Sequence, residues 1–220
     1  MSPVASKRET PFDGLTVLAD DDPRWDTDPI ACTRAACEGG AAVVQLRAKH
    51  ATDTQALRWS ESIRSLTRAH GVHFFVNDRF DLALAAGADG VHLGQDDLPP
   101  HAIPEAFRKK LWIGRSSHTL DEARAAKSEP IDYLAFGPIF GTTSKDSAHA
   151  ERGLALLSDV VRLVAPLPVI GIGGVDASNA AAVASAGARG VAVISAVSAA
   201  EDPTSATRAI VDVLAGGHGA

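Results

Sequence analysis

Short apolar runs rich in β-branched residues alternate along the chain with longer, alanine-rich segments. The runs cover residues 15–19, 42–47, 73–77, 90–93, 112–116, 133–137, 168–171 and 190–194. Between them lie stretches with a helical period, such as 54–69 and 176–186. Strand–helix alternation of this kind predicts a parallel sheet with helical crossovers. Eight units predict closure into a (β/α)8 TIM barrel, an α/β fold, rather than an open doubly wound sheet.

An internal echo supports the same reading. Ala86 to Val91 and Ala186 to Val191 share one design, and Gly39 to Val43 is a weaker copy. Each places glycine where a left-handed residue ends a helix, and then begins a strand. No Pro- or Gly-rich linker interrupts the series, so one catalytic domain is expected over 12–214. A flexible N-terminal segment is expected at 1–11 and a flexible tail at 215–220. The longest irregular stretch, 138–153, is too long for an ordinary strand–helix connection and is a candidate functional loop.

The chain has 220 residues, 45% of them hydrophobic, which is enough to bury one such core. Its net charge is −6 with the two signs interspersed, which argues against nucleic acid or an anionic membrane as partner. No apolar run nears the ~20 residues of a membrane span, and the first ten residues lack the apolar core of a secretory signal. Cys32 and Cys37 match no metal or redox spacing. Buried free thiols in a reducing cytoplasm are the expectation.

Barrel enzymes keep their chemistry at the C-terminal ends of the strands. Here those ends carry Gln45, Arg47 and Lys49 after the second run, Asn77 and Asp78 after the third, and Gln95 and Asp97 after the fourth. Ser116 and His118 follow the fifth, Thr142, Thr143, Ser144 and Lys145 the sixth, Gly171 to Gly174 the seventh, and Ile194 and Ser195 the eighth. Glycines after the seventh strand let backbone N–H groups approach an anion, at the usual phosphate site of this fold. Tight turns that merely close the barrel are the bland alternative.

Asp78 and Asp97, each beside an amide, could hold Mg2+, which prefers oxygen ligands and bridges carboxylates to substrate phosphates. Helix capping by Asp78 and a loop ion pair for Asp97 are the alternatives. Arg47 alternates in phase with Gln45, so both should point inward; a long cation there requires an anion. Lys49 and Lys145 read equally as solvated lysines. His92 is either a satisfied core residue or a site residue, and the eight histidines show no zinc spacing.

These residues, in this order, resemble the thiamine phosphate synthase family from about Leu15 to Pro203. The resemblance implies coupling of an aminopyrimidine methyl diphosphate to a thiazole phosphate, with Mg2+ assistance and release of pyrophosphate. It assigns Gln45, Arg47, Lys49 and Asn77 to the pyrimidine diphosphate, and Asp78 and Asp97 to Mg2+. Ser116 and Lys145 would contact the diphosphate or pyrimidine and act in catalysis. Thr142, Thr143 and Ser144 would line the thiazole phosphate pocket, with Gly174, Ile194 and Ser195 holding its phosphate. Small phosphorylated substrates are thus the expected partners, and a homodimer is a family-level expectation. Three positions depart from the family pattern: Ala48 for a frequent glutamate, Gly141 for a frequent proline, and Asp146 for a frequent lysine.

Two other readings compete. A thiazole tautomerase would share the barrel and make His118 a proton-transfer residue, but would leave Asp78, Asp97 and Lys49 without a purpose. A non-catalytic phosphate-binding barrel acting as a sensor would not require the carboxylate pair either.

Overall fold

The computed structural model describes residues 10–142 and 150–217. Eight parallel strands pair in sequence order and close, β1 against β8, into a barrel. The strands are β1 (Gly14–Asp20), β2 (Val43–Arg47), β3 (His73–Asn77), β4 (Gly90–Leu93), β5 (Trp112–Ser117), β6 (Tyr133–Phe136), β7 (Val169–Ile172) and β8 (Gly190–Val193). The connections are helical: α1 (Pro29–Gly39), α2 (Asp53–His70), α3 (Phe80–Ala85), α4 (Glu105–Arg108), α5 (Leu120–Ala126), α6 (Gly153–Val164), α7 (Ala180–Ser185), α8 (Ser195–Ser198) and α9 (Pro203–Gly217). The barrel and its single-domain layout are those that the strand–helix alternation predicts.

Side chains alternate between two apolar layers, as strand period demands. Leu18, Val43, Phe75, Tyr133, Ile170 and Ala192 fill the barrel interior. Val17, Val44, Phe74, Val76, Ile113 and Leu134 face outward and pack under the helices with Ile63 of α2 and Leu157 of α6. Full burial of each large side chain stabilises the fold by about 1.5–3 kcal/mol. The predicted helix-ending glycines have left-handed backbone: φ is 90° at Gly40, 63° at Gly87 and 101° at Gly187.

Boundaries differ from the predicted ones in physical detail. The helix expected from residue 176 begins only at Ala180. Asp176 instead accepts the Ser178 N–H at 2.8 Å and gives its own N–H to Asn179 Oδ1 at 3.0 Å, a local turn that competes with helix. At the other end α9 runs on to Gly217, into the segment expected as a tail. Residues 1–9 and 218–220, which make up most of the expected flexible ends, lie outside the described residues.

The two ends of the barrel differ in character. At the N-terminal end Asp89 takes both forks of Arg64, at 2.7 and 3.2 Å, and the Phe74 N–H at 2.9 Å. Phe12 plugs the floor between Trp112 and Tyr133, with ring centroids 5.4 and 4.8 Å away. The opposite end gathers the polar residues. Among the described residues no helix is long and apolar enough to cross a membrane.

Candidate active site

Inward-facing positions at the strand ends follow from alternation. Arg47 does point to the barrel mouth, and the anion it needs is a protein carboxylate: its Nη1 lies 3.0 and 2.9 Å from the two oxygens of Asp20, a residue only 1% exposed. Asp20 and Arg47 are direct register partners on β1 and β2. Asp20 escaped the sequence reading, although it stands two residues after inward-facing Leu18. The same alternation that marked Arg47 would have marked it.

Lys49, on the loop after β2, reaches Asp78 at 2.5 Å. Asp78 does not cap α3. It has left-handed backbone, φ 65°, rare for a residue with a side chain, and its N–H donates to His92 O at 2.7 Å. That conformation turns its carboxyl toward Asp97, to which it is hydrogen-bonded. Burial opposes ionisation of Asp78, but the Asp97 hydrogen bond and the Lys49 ammonium outweigh it and hold Asp78 below the usual carboxylate range. Burial and the Asp78 carboxylate push Asp97 up. Of the two, Asp78 is therefore the stronger acid and Asp97 the weaker.

The Asp97 loop is held from both sides. Asp97 Oδ2 accepts the Gly94 N–H at 2.6 Å, and buried Arg115 grips the Gly94 carbonyl from behind at 2.5 Å. Gln95, the amide beside Asp97, donates to the Ser116 carbonyl. Among the described residues no three His, Cys, Asp or Glu side chains gather as a metal cluster; the candidate Mg2+ site is the Asp78–Asp97 pair.

Deeper in the barrel His92 bridges Tyr133 and Ser116, with Nδ1 2.9 Å from Tyr133 Oη and Nε2 2.9 Å from Ser116 Oγ. Burial pushes the Tyr133 phenol far up, so it remains a donor. A neutral His92 that accepts from Tyr133 carries its proton on Nε2 and donates to Ser116. His92 is thus both satisfied and part of the site. Beside it Gln45 is 3% exposed, and its Oε1 has no hydrogen-bond partner among the described residues.

Three cavities meet at the barrel mouth. A cleft of about 460 Å³ is lined by Arg47, Lys49, Asn77, Asp78, Asp97 and Ser116. An interior cavity of about 40 Å³ is lined by Gln45, His92, Ser116 and Tyr133. A third, about 70 Å³, is lined by Gly173, Gly174, Thr142, Ile194 and Ser195. His118 lines all three, with its Nδ1 2.7 Å from Gly137 O. Gly174 has φ 64°, and a Cβ there would lie 2.6 Å from Gly141 O and 2.7 Å from Phe140 Cβ. Only glycine lets these two loops touch.

The site residues expected from sequence therefore converge, apart from Thr143, Ser144 and Lys145, which with Asp146 lie outside the described residues. A family model described as thiamine monophosphate synthase matches residues 15–197. The chain belongs to the thiamine monophosphate synthase family. It is 45% identical to a thiamine-phosphate synthase of Chlorobium phaeovibrioides, over 90% of this chain and 92% of that one. With a thiamine-phosphate synthase of Anaeromyxobacter dehalogenans the identity is 44%, over 92% and 88%. The solved thiamine phosphate pyrophosphorylase of Pyrococcus furiosus superposes with a TM-score of 0.83 at 35% identity, covering 95% of this chain and 98% of that chain.

Two departures from the thiamine phosphate synthase pattern have local explanations. Ala48 packs against the outer apolar layer, where a glutamate would need a partner. The Gly141 N–H lies 3.2 Å from Glu151 Oε2, a bond that proline could not make.

Proposed function

We propose that this chain is a thiamine-phosphate synthase that joins an aminopyrimidine methyl diphosphate to a thiazole phosphate, forming thiamine phosphate and releasing pyrophosphate. The observation that carries the reading is the shared His118 wall, which joins a cationic and acidic cleft to a glycine-lined pocket. Two substrates, each with a phosphate end, require two such sites within bonding distance of each other.

In this reading Arg47, Lys49 and Asn77 hold the diphosphate. Ser116 and Gln45 face the pyrimidine, whose amino and ring groups supply the donors that a buried amide oxygen lacks. Backbone N–H groups at Gly174, Ile194 and Ser195, with Thr142, Thr143 and Ser144, receive the thiazole phosphate. The donor set of Asp78 and Asp97, two hard carboxylate ligands side by side, fits Mg2+. When bound, Mg2+ would neutralise charge growing on the leaving diphosphate.

The chemistry asks the protein for little proton transfer. The C–O bond to diphosphate breaks with the pyrimidine stabilising the cation, and the thiazole nitrogen supplies the electron pair for the new C–N bond. Lys145 steadies the departing pyrophosphate, and Ser116 fixes the pyrimidine over the reacting carbon. Residues 12–214 act as one catalytic unit, in the cytoplasm, where the buried Cys32 and Cys37 stay reduced. A homodimer is the assembly carried over from the family and is checked by light scattering.

The deciding experiment is pyrophosphate release from the two substrates with and without Mg2+. Asp78→Ala and Asp97→Ala should each cut turnover sharply while thiazole phosphate binding persists. Full turnover of both variants at saturating Mg2+ would remove the metal role.

A further inference from the structure

The three consecutive carboxylates that end β1 and begin the next loop all engage one segment. Asp20 takes Arg47 at 3.0 and 2.9 Å. Asp21 accepts the backbone N–H groups of Lys49 at 2.8 Å, His50 at 2.9 Å and Ala51 at 2.7 Å. Asp22 lies 3.9 Å from the His50 ring. Together they clasp the chain from Arg47 to Ala51, which carries the lysine and arginine that line the cleft among the described residues.

The detail of the Arg47 contact is informative. Only Nη1 is engaged by Asp20; Nε and Nη2 make no hydrogen bond among the described residues. A guanidinium offers a fixed, planar fork. Tethered at one corner, it keeps two donors for a ligand, and Arg47 lines the cleft. A buried bidentate pair built for stability alone would more naturally use both nitrogens of the fork. At Lys49 the tether is on the backbone instead, which fixes where the stem begins, while the ammonium itself pairs with Asp78.

We infer that Asp20 and Asp21 are positioning residues for diphosphate recognition: Asp20 aims the Arg47 fork, and Asp21 fixes the loop from which Lys49 reaches. The inference rests on the synthase reading and adds the residues that preorganise its diphosphate site. Neither carboxylate touches the diphosphate, whose charge they would repel. Asp20 acts through a cation that does, and Asp21 through the backbone that carries one. Asp21 uses both oxygens as acceptors, so an amide, with one oxygen and one NH2, cannot replace it.

The test uses the full chain with inorganic pyrophosphate and Mg2+, followed by calorimetry, alongside the KM values of both substrates. Asp21→Ala and Asp21→Asn should both weaken pyrophosphate binding about tenfold, the effect of losing charge-assisted hydrogen bonds. The KM for the diphosphate should rise in parallel, and that for the thiazole phosphate should stay within about twofold. Asp20→Ala should show the same split, with Asp20→Asn intermediate because it still accepts from Nη1. In an Arg47→Ala background Asp20→Ala should add less than about twofold, since its partner is gone. Melting temperatures identify variants that merely unfold, for which the less disruptive Asp20→Asn and Asp21→Asn carry the comparison. Equal rises in both KM values, or additive loss in the double variant, would overturn the positioning role. Wild-type chain that binds no pyrophosphate would overturn the synthase reading itself.

Discussion

Lys49 Nζ stands 2.5 Å from the carboxylate of Asp78, so a cation assigned to the diphosphate and a carboxylate assigned to Mg2+ neutralise each other. A metal ion approaching Asp78 must compete with that ammonium. Lys49→Met should therefore tighten Mg2+ binding in the absence of substrate, by about two- to fivefold for a partly exposed pair. The same change should raise the KM for the diphosphate roughly tenfold. Titration with Mg2+ and steady-state kinetics read the two effects separately, and opposite signs are the expected result.

The Gly174 contact with Phe140 and Gly141 ties the turn after β7 to the loop after β6. Gly174→Ala should cost about 1–3 kcal/mol of stability, from positive φ and steric overlap. It should also weaken thiazole phosphate binding more than Ser195→Ala, which keeps its backbone N–H. Calorimetry with thiazole phosphate gives the order.

Lys145 and His118 separate coupling from isomerisation. If Lys145 stabilises departing pyrophosphate, Lys145→Ala should lower kcat about 10²–10³-fold and raise KM less. His118 is held by Gly137 O at 2.7 Å and by Glu122, which accepts its backbone N–H at 2.6 Å. His118→Ala should cost less than Lys145→Ala in pyrophosphate release. A dead His118→Ala chain beside an active Lys145→Ala chain would instead indicate a tautomerase.

At the far end of the barrel, Asp89 gives a stability prediction. Burial opposes its ionisation, yet the His73 ring, the Phe74 N–H and Arg64 hold its pKa at about 2. The unfolded value is about 3.9, so the folded state favours the ionised form. That stabilisation is fully present above pH of about 4 and is lost as pH falls toward 2. Screening at this partly open site leaves about 1–2 kcal/mol. Urea melts should show Asp89→Asn less stable than wild type at pH 7, with the gap closing between pH 4 and pH 2.

How far the site could be read from the chain depended on distance along it. Alternation within one strand placed Gln45 and Arg47 at the mouth, because period 2 is a local property, and Ser116 was legible from its place at the end of the fifth strand. Glycines at 173 and 174 were legible because the position after the seventh strand has a known use in this fold. The Lys49–Asp78 pair and the coupling of Asp78 to Asp97 were not legible. They join different strands, and only the stagger of the closed sheet brings their ends level. Asp20 was not read at all, although alternation from Leu18 marks it as inward, and nothing local marked it as the answer to the charge of Arg47. The boundary of α7 was missed for a different reason: the side-chain turn at Asp176 outcompeted a helical period that looked continuous.

The plug in the barrel floor has a consequence for the mouth. Phe12 rests on Tyr133, Tyr133 lies against His92 with centroids 5.5 Å apart, and His92 meets Ser116. These rings form a column through the barrel, with a loop residue as its foot and the Ser116 hydroxyl as its capital. Shortening the chain past Phe12 would remove the foot, and the loss would be felt as a misplaced serine at the opposite end.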